Sequence, residues 1–147
     1  AIRALGSGKK VHMLQFIKAM PYGELNILGD LPGFSYELLG RDCFIEKKPD
    51  REDSIRAQRG LKKAEECLVA QSYDLLILDE VHIALYYGLI ELPKLIAILE
   101  KRKNTEVICT GRYAPRQLME IADLVTEMRE IKHYYEKGIY AREGIEF

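Results

Sequence analysis

The chain has 147 residues, of which 48% are hydrophobic and 31% charged, and its formal net charge is −1. This length and composition predict one globular domain with a sizeable core, and they exclude a disordered chain. The near-neutral charge leaves no electrostatic footprint for nucleic acid, and no apolar run approaches the length of a membrane span. The cysteines Cys43, Cys67 and Cys109 match neither a zinc site nor a disulfide framework, which predicts reduced thiols and a cytoplasmic protein.

The first third of the chain predicts a helix end, a strand and a looped region. Residues Ala1–Gly6 are typical of the last turns of a helix capped by Gly6, so we expect further residues upstream of Ala1. Lys10–Lys18 is apolar inside and polar at its ends, as buried parallel strands are. The prolines and glycines between Pro21 and Gly33 predict loops and turns.

Strands and helices alternate along the rest of the chain. Asp53 or Ser54 suits the N-cap of a helix that runs to about Gln71. The apolar positions that share one face of this helix are Ala57, Leu61, Ala64 and Leu68. The later predicted elements are a strand over Leu75–Leu78, a helix over Leu92–Leu99 with Pro93 in its first turn, a strand over Glu106–Thr110, a helix over Pro115–Ala122 and a strand near Leu124–Met128. The tail after Lys132 is expected to lie over the surface.

This alternation predicts an α/β fold with a parallel sheet and helices on both faces. In such sheets, ligands bind beyond the carboxyl ends of the strands. The polar groups that follow predicted strands are Lys18, the pair Asp79-Glu80, and Thr110-Gly111-Arg112. We therefore expect the functional site at that edge.

The pair Asp79-Glu80 follows four large apolar residues directly, and this is the most informative feature of the chain. A carboxylate at the end of a buried strand is costly unless it is paired, and Mg²⁺ is one suitable partner. The alternative is that Asp79 caps the helix that follows. The residues alone favour the two interpretations about equally. A similar acid box occurs in helicases, but the chain has neither a second domain of similar size nor a basic channel.

Two further features have a functional and a structural interpretation. Arg112 offers a planar fork for phosphate or carboxylate, although a surface arginine is the simpler interpretation. Phe34 and Tyr36 lie two residues apart between glycine-rich turns, so in an extended segment they point the same way. They either press on a flat ligand or anchor the loop in the core, and the residues alone favour anchoring.

Taken together and in order, the motifs resemble the bacterial ATP:corrinoid adenosyltransferases, also called cob(I)alamin adenosyltransferases. The motifs that carry the resemblance are Arg3-Ala4-Leu5-Gly6, Gly8-Lys9-Lys10-Val11, Gln15-Phe16-Ile17-Lys18, Gly23-Glu24, Gly33-Phe34-Ser35-Tyr36-Glu37, Leu78-Asp79-Glu80, Thr110-Gly111-Arg112, Asp123 to Arg129, Lys132-His133, Gly138-Ile139 and Gly144 to Phe147. No single motif is decisive, but together they cover nearly the whole chain.

The resemblance implies a RecA-like P-loop fold, a cytoplasmic homodimer, and transfer of the 5′-deoxyadenosyl group of ATP to the cobalt of a corrinoid with release of triphosphate. It implies Mg²⁺ and an electron donor, a reduced flavin or flavoprotein. Phe34 and Tyr36 match an aromatic wall that displaces an axial ligand of cobalt, with Tyr36 where the family often has Trp. Glu80 matches the Mg²⁺ ligand, with Asp79 beside it, and Arg3 and Arg112 are placed near the nucleotide. The acid pair and the aromatic pair are thus expected at one rim.

One departure from the family concerns the phosphate loop, because the family's Gly-rich loop and the strand before it would lie upstream of Ala1. A single domain over residues 1–147 without that loop lacks the backbone cradle for triphosphate. We expect a polypeptide that truly begins at Ala1 not to transfer adenosyl groups. Another P-loop NTPase or kinase, or a non-catalytic corrinoid-binding protein, is the alternative.

Overall fold

The structure is a computed structural model that describes residues 1–17, 22–41 and 49–145. The strands are β1 (Val11–Gln15), β2 (Phe34–Leu38), β3 (Leu75–Asp79) and β4 (Glu106–Cys109). The helices are α1 (Ile2–Gly6), α2 (Gly23–Leu28), α3 (Arg51–Ala70), α4 (Val81–Tyr86), α5 (Leu92–Leu99) and α6 (Arg116–Ile121), with a 3₁₀ turn at Tyr134–Lys137. The predicted strand end at Lys18 and the cysteine Cys43 lie outside the described residues.

The four strands form one parallel sheet in the order β2-β1-β3-β4. The pairing aligns Gln15 of β1 with Leu38 of β2 and with Asp79 of β3. This confirms the predicted α/β class, and the arrangement is consistent with a RecA-like P-loop domain. The carboxyl ends of β1 and β3 therefore lie side by side at one edge.

The larger core lies on the sheet face that carries Leu14, Leu76 and Leu78, all fully buried. Helices α3 and α5 pack on this face and on each other. The predicted apolar face of α3 is confirmed, because Ala57, Leu61, Ala64 and Leu68 are all buried. Periodicity alone was sufficient here because a long amphipathic helix has only one way to bury its stripe.

The predicted caps Asp53 and Ser54 are wrong, since Asp50 is the N-cap of α3 and Asp53 is its third helical residue. Asp50 Oδ1 accepts from the Glu52 and Asp53 backbone N–H groups at 2.8 and 3.2 Å, and Asp53 Oδ2 accepts from the Asp50 N–H at 2.9 Å. This is a capping box with aspartate in the third position. Arg41 stabilises the capping box through a bidentate hydrogen-bonded contact with the Asp53 carboxylate, at 2.8 and 2.9 Å.

The other sheet face carries a smaller core under α1 and α2. Phe34 is buried there with Val11 and Met13 of β1 and Leu25 of α2. The segment predicted as a loop around Phe34 is therefore strand β2, and the predicted loops before it contain helix α2. Gly6 is the last residue of α1 rather than its cap, which is Ser7.

The strand predicted near Leu124–Met128 is wrong, because this segment has no regular structure and pairs with no described strand. Leu124 is 84% exposed and Met128 is 95% exposed. An apolar pattern specifies a strand only where a sheet edge receives it. Residues 133–145 of the tail are exposed as predicted, and no helix within the described ranges is both long and apolar enough to cross a bilayer.

Candidate functional site

The acid pair lies at the carboxyl edge of the sheet, where β3 turns into α4. Asp79 is the last residue of β3, and Glu80 is the N-cap residue of α4 with φ of 58°. The alternative that Asp79 caps this helix is wrong, because no side-chain cap is formed and Asp79 bonds to other strands instead. Glu80 holds a left-handed conformation that a non-glycine residue adopts at a cost. Such an outlier at a strand end is typical of a functional turn.

Both oxygens of the Asp79 carboxylate accept hydrogen bonds from neighbouring strand ends. The Thr110 hydroxyl donates to Oδ1 at 2.7 Å, and the Gln15 side-chain amide donates to Oδ2 at 2.9 Å. Gln15 is only 2% exposed, and its Oε1 is buried without a hydrogen-bond partner among the described residues. Two donors from neighbouring strand ends thus hold the partly buried Asp79 side chain in one orientation.

Gly111 fits against the acid pair so closely that a larger residue would touch it. A Cβ built there would lie 3.3 Å from Glu80 Oε2 and 3.1 Å from His82 Cβ, and Gly111 has φ of +127°. His82 Nδ1 donates to the Gly111 carbonyl oxygen across 3.1 Å, because a carbonyl oxygen can only accept a hydrogen bond. The turn after β4 is therefore fastened to the first turn of α4.

Aromatic contacts hold the next residues of the same turn. Tyr113, which has φ of +64°, stacks on Tyr86 of α4 with ring centroids 4.5 Å apart, and both residues are 61% exposed. The Arg112 guanidinium carbon lies 6.0 Å from the Tyr113 ring centroid. Arg112 is exposed and lies two residues beyond Thr110, at the edge where the acid pair lies.

The aromatic pair does not share a rim with the acid pair, so that expectation is wrong. Phe34 is aligned through Val11 with Leu75, at the amino end of the sheet, and is only 9% exposed. With strands about 4.8 Å apart and about 3.3 Å per residue, its Cα lies roughly 19 Å from that of Glu80. Phe34 therefore packs in the smaller core, as the core-anchoring interpretation predicts.

Tyr36 lies nearer the acid pair and is more accessible than Phe34. It aligns with Met13 and, through it, with Ile77, so the same spacing places it roughly 14 Å from Glu80. Tyr36 is 39% exposed, and its ring centroid lies 6.0 Å from that of Phe34. Only Tyr36 of the two presents a substantial surface to a ligand.

The remaining predicted groups lie apart from this cluster or outside the described residues. Arg3 is exposed on α1, a helix that packs through Ala1, Ala4 and Leu5 over the smaller core. Lys18 lies outside the described residues. The structure therefore brings together Asp79, Glu80 and the Thr110–Arg112 turn, but not the aromatic pair.

The carboxylates of Asp79 and Glu80 suit a hydrated Mg²⁺ ion better than a metal ion held entirely by protein side chains. Over residues 1–17, 22–41 and 49–145, no group of three His, Cys, Asp or Glu side chains could hold a metal ion. Mg²⁺ usually takes one or two carboxylates together with phosphate oxygens and waters, rather than an all-protein cage. Asp79 and Glu80 therefore fit a cation that arrives with a nucleotide.

Cys109, the last residue of β4, lies one position before Thr110 and is partly buried. Burial raises the pKa of its thiol to about 11. The thiolate is the nucleophilic form of cysteine, and it is scarce at neutral pH when the pKa is this high. Cys109 is therefore a packing residue beside the site and not a nucleophile of it.

Sequence reasoning missed Gln15 and His82 as members of the site, and it noted Thr110 only as part of a strand end. Gln15 carried a usable signal, since it is a polar residue within an apolar strand. His82 carried none, because its role depends on the carbonyl of Gly111 from a different strand end.

Comparison with known proteins places the whole chain in one group. Residues 1–147 match the family described as ATP:corrinoid adenosyltransferase BtuR/CobO/CobP. The corrinoid adenosyltransferase of Pseudomonas aeruginosa is 38% identical over 148 residues, which are 99% of this chain and 73% of that protein. That of a Sinorhizobium species is 36% identical over 152 residues, covering 99% and 70%. That of Escherichia coli K12 is 32% identical over 149 residues, covering 100% and 76%.

Proposed function

The chain belongs to the ATP:corrinoid adenosyltransferase family, and we propose that it transfers the 5′-deoxyadenosyl group of ATP to the cobalt of a corrinoid. The products are adenosylcobalamin, or adenosylcobinamide, and triphosphate. The family match over the whole chain carries this conclusion, and the acid pair at the ligand-binding edge of the sheet supports it.

The reaction is a displacement at C5′ of the ribose. The Co(I) centre of the corrinoid substrate contributes an electron pair, so that the Co–C5′ bond forms and cobalt becomes formally Co(III). The C5′–O bond breaks, and its electron pair leaves with the triphosphate. The protein must therefore hold the polyphosphate, align C5′ with cobalt and exclude competing nucleophiles.

We assign the polyphosphate end to the carboxyl edge of the sheet. Glu80 would ligate the Mg²⁺ of the nucleotide, which when bound neutralises charge on the leaving triphosphate. Asp79, held by Gln15 and Thr110, adds a fixed negative charge next to that ligand. Arg112, exposed at the same edge, would contact phosphate oxygens through its planar fork. Arg3 is proposed to approach the nucleotide from α1.

We assign the aromatic pair to the corrinoid with unequal roles. Tyr36 has the exposed ring and would press on the macrocycle, so that cobalt loses an axial ligand before reduction. Phe34 is buried beside it on the same strand and would support that ring. The electron for reduction of Co(II) is proposed to come from a reduced flavin or flavoprotein. A cytoplasmic homodimer remains a prediction.

The test is product formation by the full-length protein under anaerobic conditions with ATP, Mg²⁺ and chemically reduced corrinoid. We expect the visible spectrum of an alkylated corrinoid together with equimolar triphosphate. Orthophosphate in place of triphosphate would indicate a kinase or NTPase. Corrinoid binding without product or nucleotide dependence would indicate a carrier.

Glu80→Gln tests the ligand assignment, because it keeps the shape of the side chain and removes its charge. We expect the Mg²⁺ concentration for half-maximal activity to rise at least tenfold, with folding retained. Glu91→Gln is the matched control, since Glu91 is an exposed glutamate whose ion pair is with Lys94 of α5 rather than with the acid pair. Equal Mg²⁺ dependence of the two variants would remove Glu80 from the site.

A further inference from the structure

One hydroxyl connects both members of the acid pair. Thr110 Oγ1 donates to Asp79 Oδ1 at 2.7 Å and accepts from the Glu80 backbone N–H at 3.1 Å. A threonine hydroxyl has one proton to donate and lone pairs to accept with. Both functions are used here, and both partners belong to the turn between β3 and α4.

The backbone of Thr110 is fixed at the same time, so the hydroxyl has little freedom. Its N–H donates to the Leu78 carbonyl oxygen at 3.1 Å, and its own carbonyl oxygen accepts from the His82 N–H at 3.3 Å. The first bond continues the pairing of β3 with β4, and the second ties the strand end to α4. Because both the N–H and the carbonyl group of Thr110 are already hydrogen-bonded, its side chain loses little further entropy when the hydroxyl makes two more hydrogen bonds.

The backbone conformation of Glu80 depends strongly on its hydrogen bond to the Thr110 hydroxyl. Its left-handed backbone, with φ of 58°, is unfavourable unless neighbouring groups hold it. The bond from its N–H to Thr110 contributes to that restraint, and Gly111 leaves room for the carboxylate whose Oε2 is buried. Asp79, held by Thr110 on one oxygen and Gln15 on the other, is kept in place beside it.

We propose that Thr110 is a positioning residue for cation and nucleotide binding, because its hydroxyl fixes the Asp79 carboxylate and the Glu80 backbone in one arrangement. Asp79 is thereby the anchored charge, and Glu80 is the group presented to the cation. This inference rests on the proposed function only in naming Mg²⁺–ATP as the ligand. Residues that orient a metal ligand commonly change metal affinity about 10- to 100-fold when they are removed.

The experiment compares Thr110→Val, which keeps the shape and loses the hydroxyl, with Thr110→Ser, which keeps the hydroxyl. Binding of Mn²⁺ to the full-length protein with ATP is measured by electron paramagnetic resonance, and folding is checked by circular dichroism. We expect Thr110→Val to lose at least tenfold in Mn²⁺ affinity and Thr110→Ser to stay within about threefold of the wild type. If the valine variant fails to fold, Thr110→Ala takes its place in the comparison.

Three results would overturn the proposal: wild-type affinity in Thr110→Val, an equal loss in the serine variant, or no Mn²⁺ binding by the wild type. Product assays on the same wild-type sample keep the two conclusions separate. Absence of the alkylated corrinoid with the expected Mn²⁺ pattern would refute the transferase and leave the positioning role intact. Normal product with unchanged Mn²⁺ affinity in Thr110→Val would refute the positioning role and leave the transferase intact.

Discussion

Gly111→Ala is the sharpest test of how the acid pair is packed. Backbone with φ of +127° is rarely adopted by an L-residue, which costs about 1–3 kcal/mol. The new methyl group would lie 3.1 Å from His82 Cβ and 3.3 Å from Glu80 Oε2, and overpacking of this kind adds about 1–3 kcal/mol. We expect the free energy of unfolding in urea to fall by about 2–6 kcal/mol and the Mg²⁺ requirement to rise, because the Glu80 carboxylate must move.

Gly88→Ala is the matched control for backbone strain. Gly88 has φ of +68°, and a Cβ there meets nothing within 4 Å, so only the conformational cost of about 1–2 kcal/mol applies. This variant should keep the wild-type Mg²⁺ dependence. The reasoning fails if both variants lose the same stability, or if Gly111→Ala keeps the wild-type Mg²⁺ requirement, because the contact with Glu80 would then have no consequence.

Three further predictions concern packing and pH. Gly60→Ala should lower the free energy of unfolding in urea by about 1 kcal/mol. A Cβ at residue 60 would lie 2.3 Å from Leu39 Cδ1, and this overpacking costs more than the gain in helix propensity from alanine. Burial and the nearby Lys63 lower the pKa of His12 below 6.5 in the folded protein. As the pH drops below about 6.5, the unfolded chain therefore binds a proton more readily than the folded one, and the free energy of unfolding falls. In urea titrations, His12→Gln should lose less stability than the wild type over this pH range. Phe34→Ala should lose about 3 kcal/mol of stability, whereas Tyr36→Ala should lose less stability and more adenosylation activity per folded molecule; the opposite ranking would contradict the unequal roles.

Local sequence patterns predicted the parts of the fold that depend on one segment at a time. The run before Asp79 had to be a buried strand, since four large apolar residues in succession find few other environments in a short segment. The 3.6-residue spacing of Ala57, Leu61 and Ala64 likewise determined which face of α3 is buried. Where the pattern needed a partner, as at Leu124–Met128, it failed because sequence alone does not say which sheet edge is available.

The site itself was predictable only in outline. That acids would lie at a carboxyl edge followed from strand direction, but Gln15, Asp79 and Thr110 are separated by 64 and 31 positions in sequence and meet through parallel pairing. Strand register also placed Phe34 at the opposite end of the sheet from Glu80.

Residue types, their order and short-range periodicity were enough to predict the α/β class, the family and the acid pair. The polar side chains that hold Asp79, the backbone conformation of Glu80 and the accessibility of each aromatic ring follow from the three-dimensional fold. Those properties depend on the hydrogen-bond register between strands distant in sequence, and a shift of one residue would move each side chain to the other face.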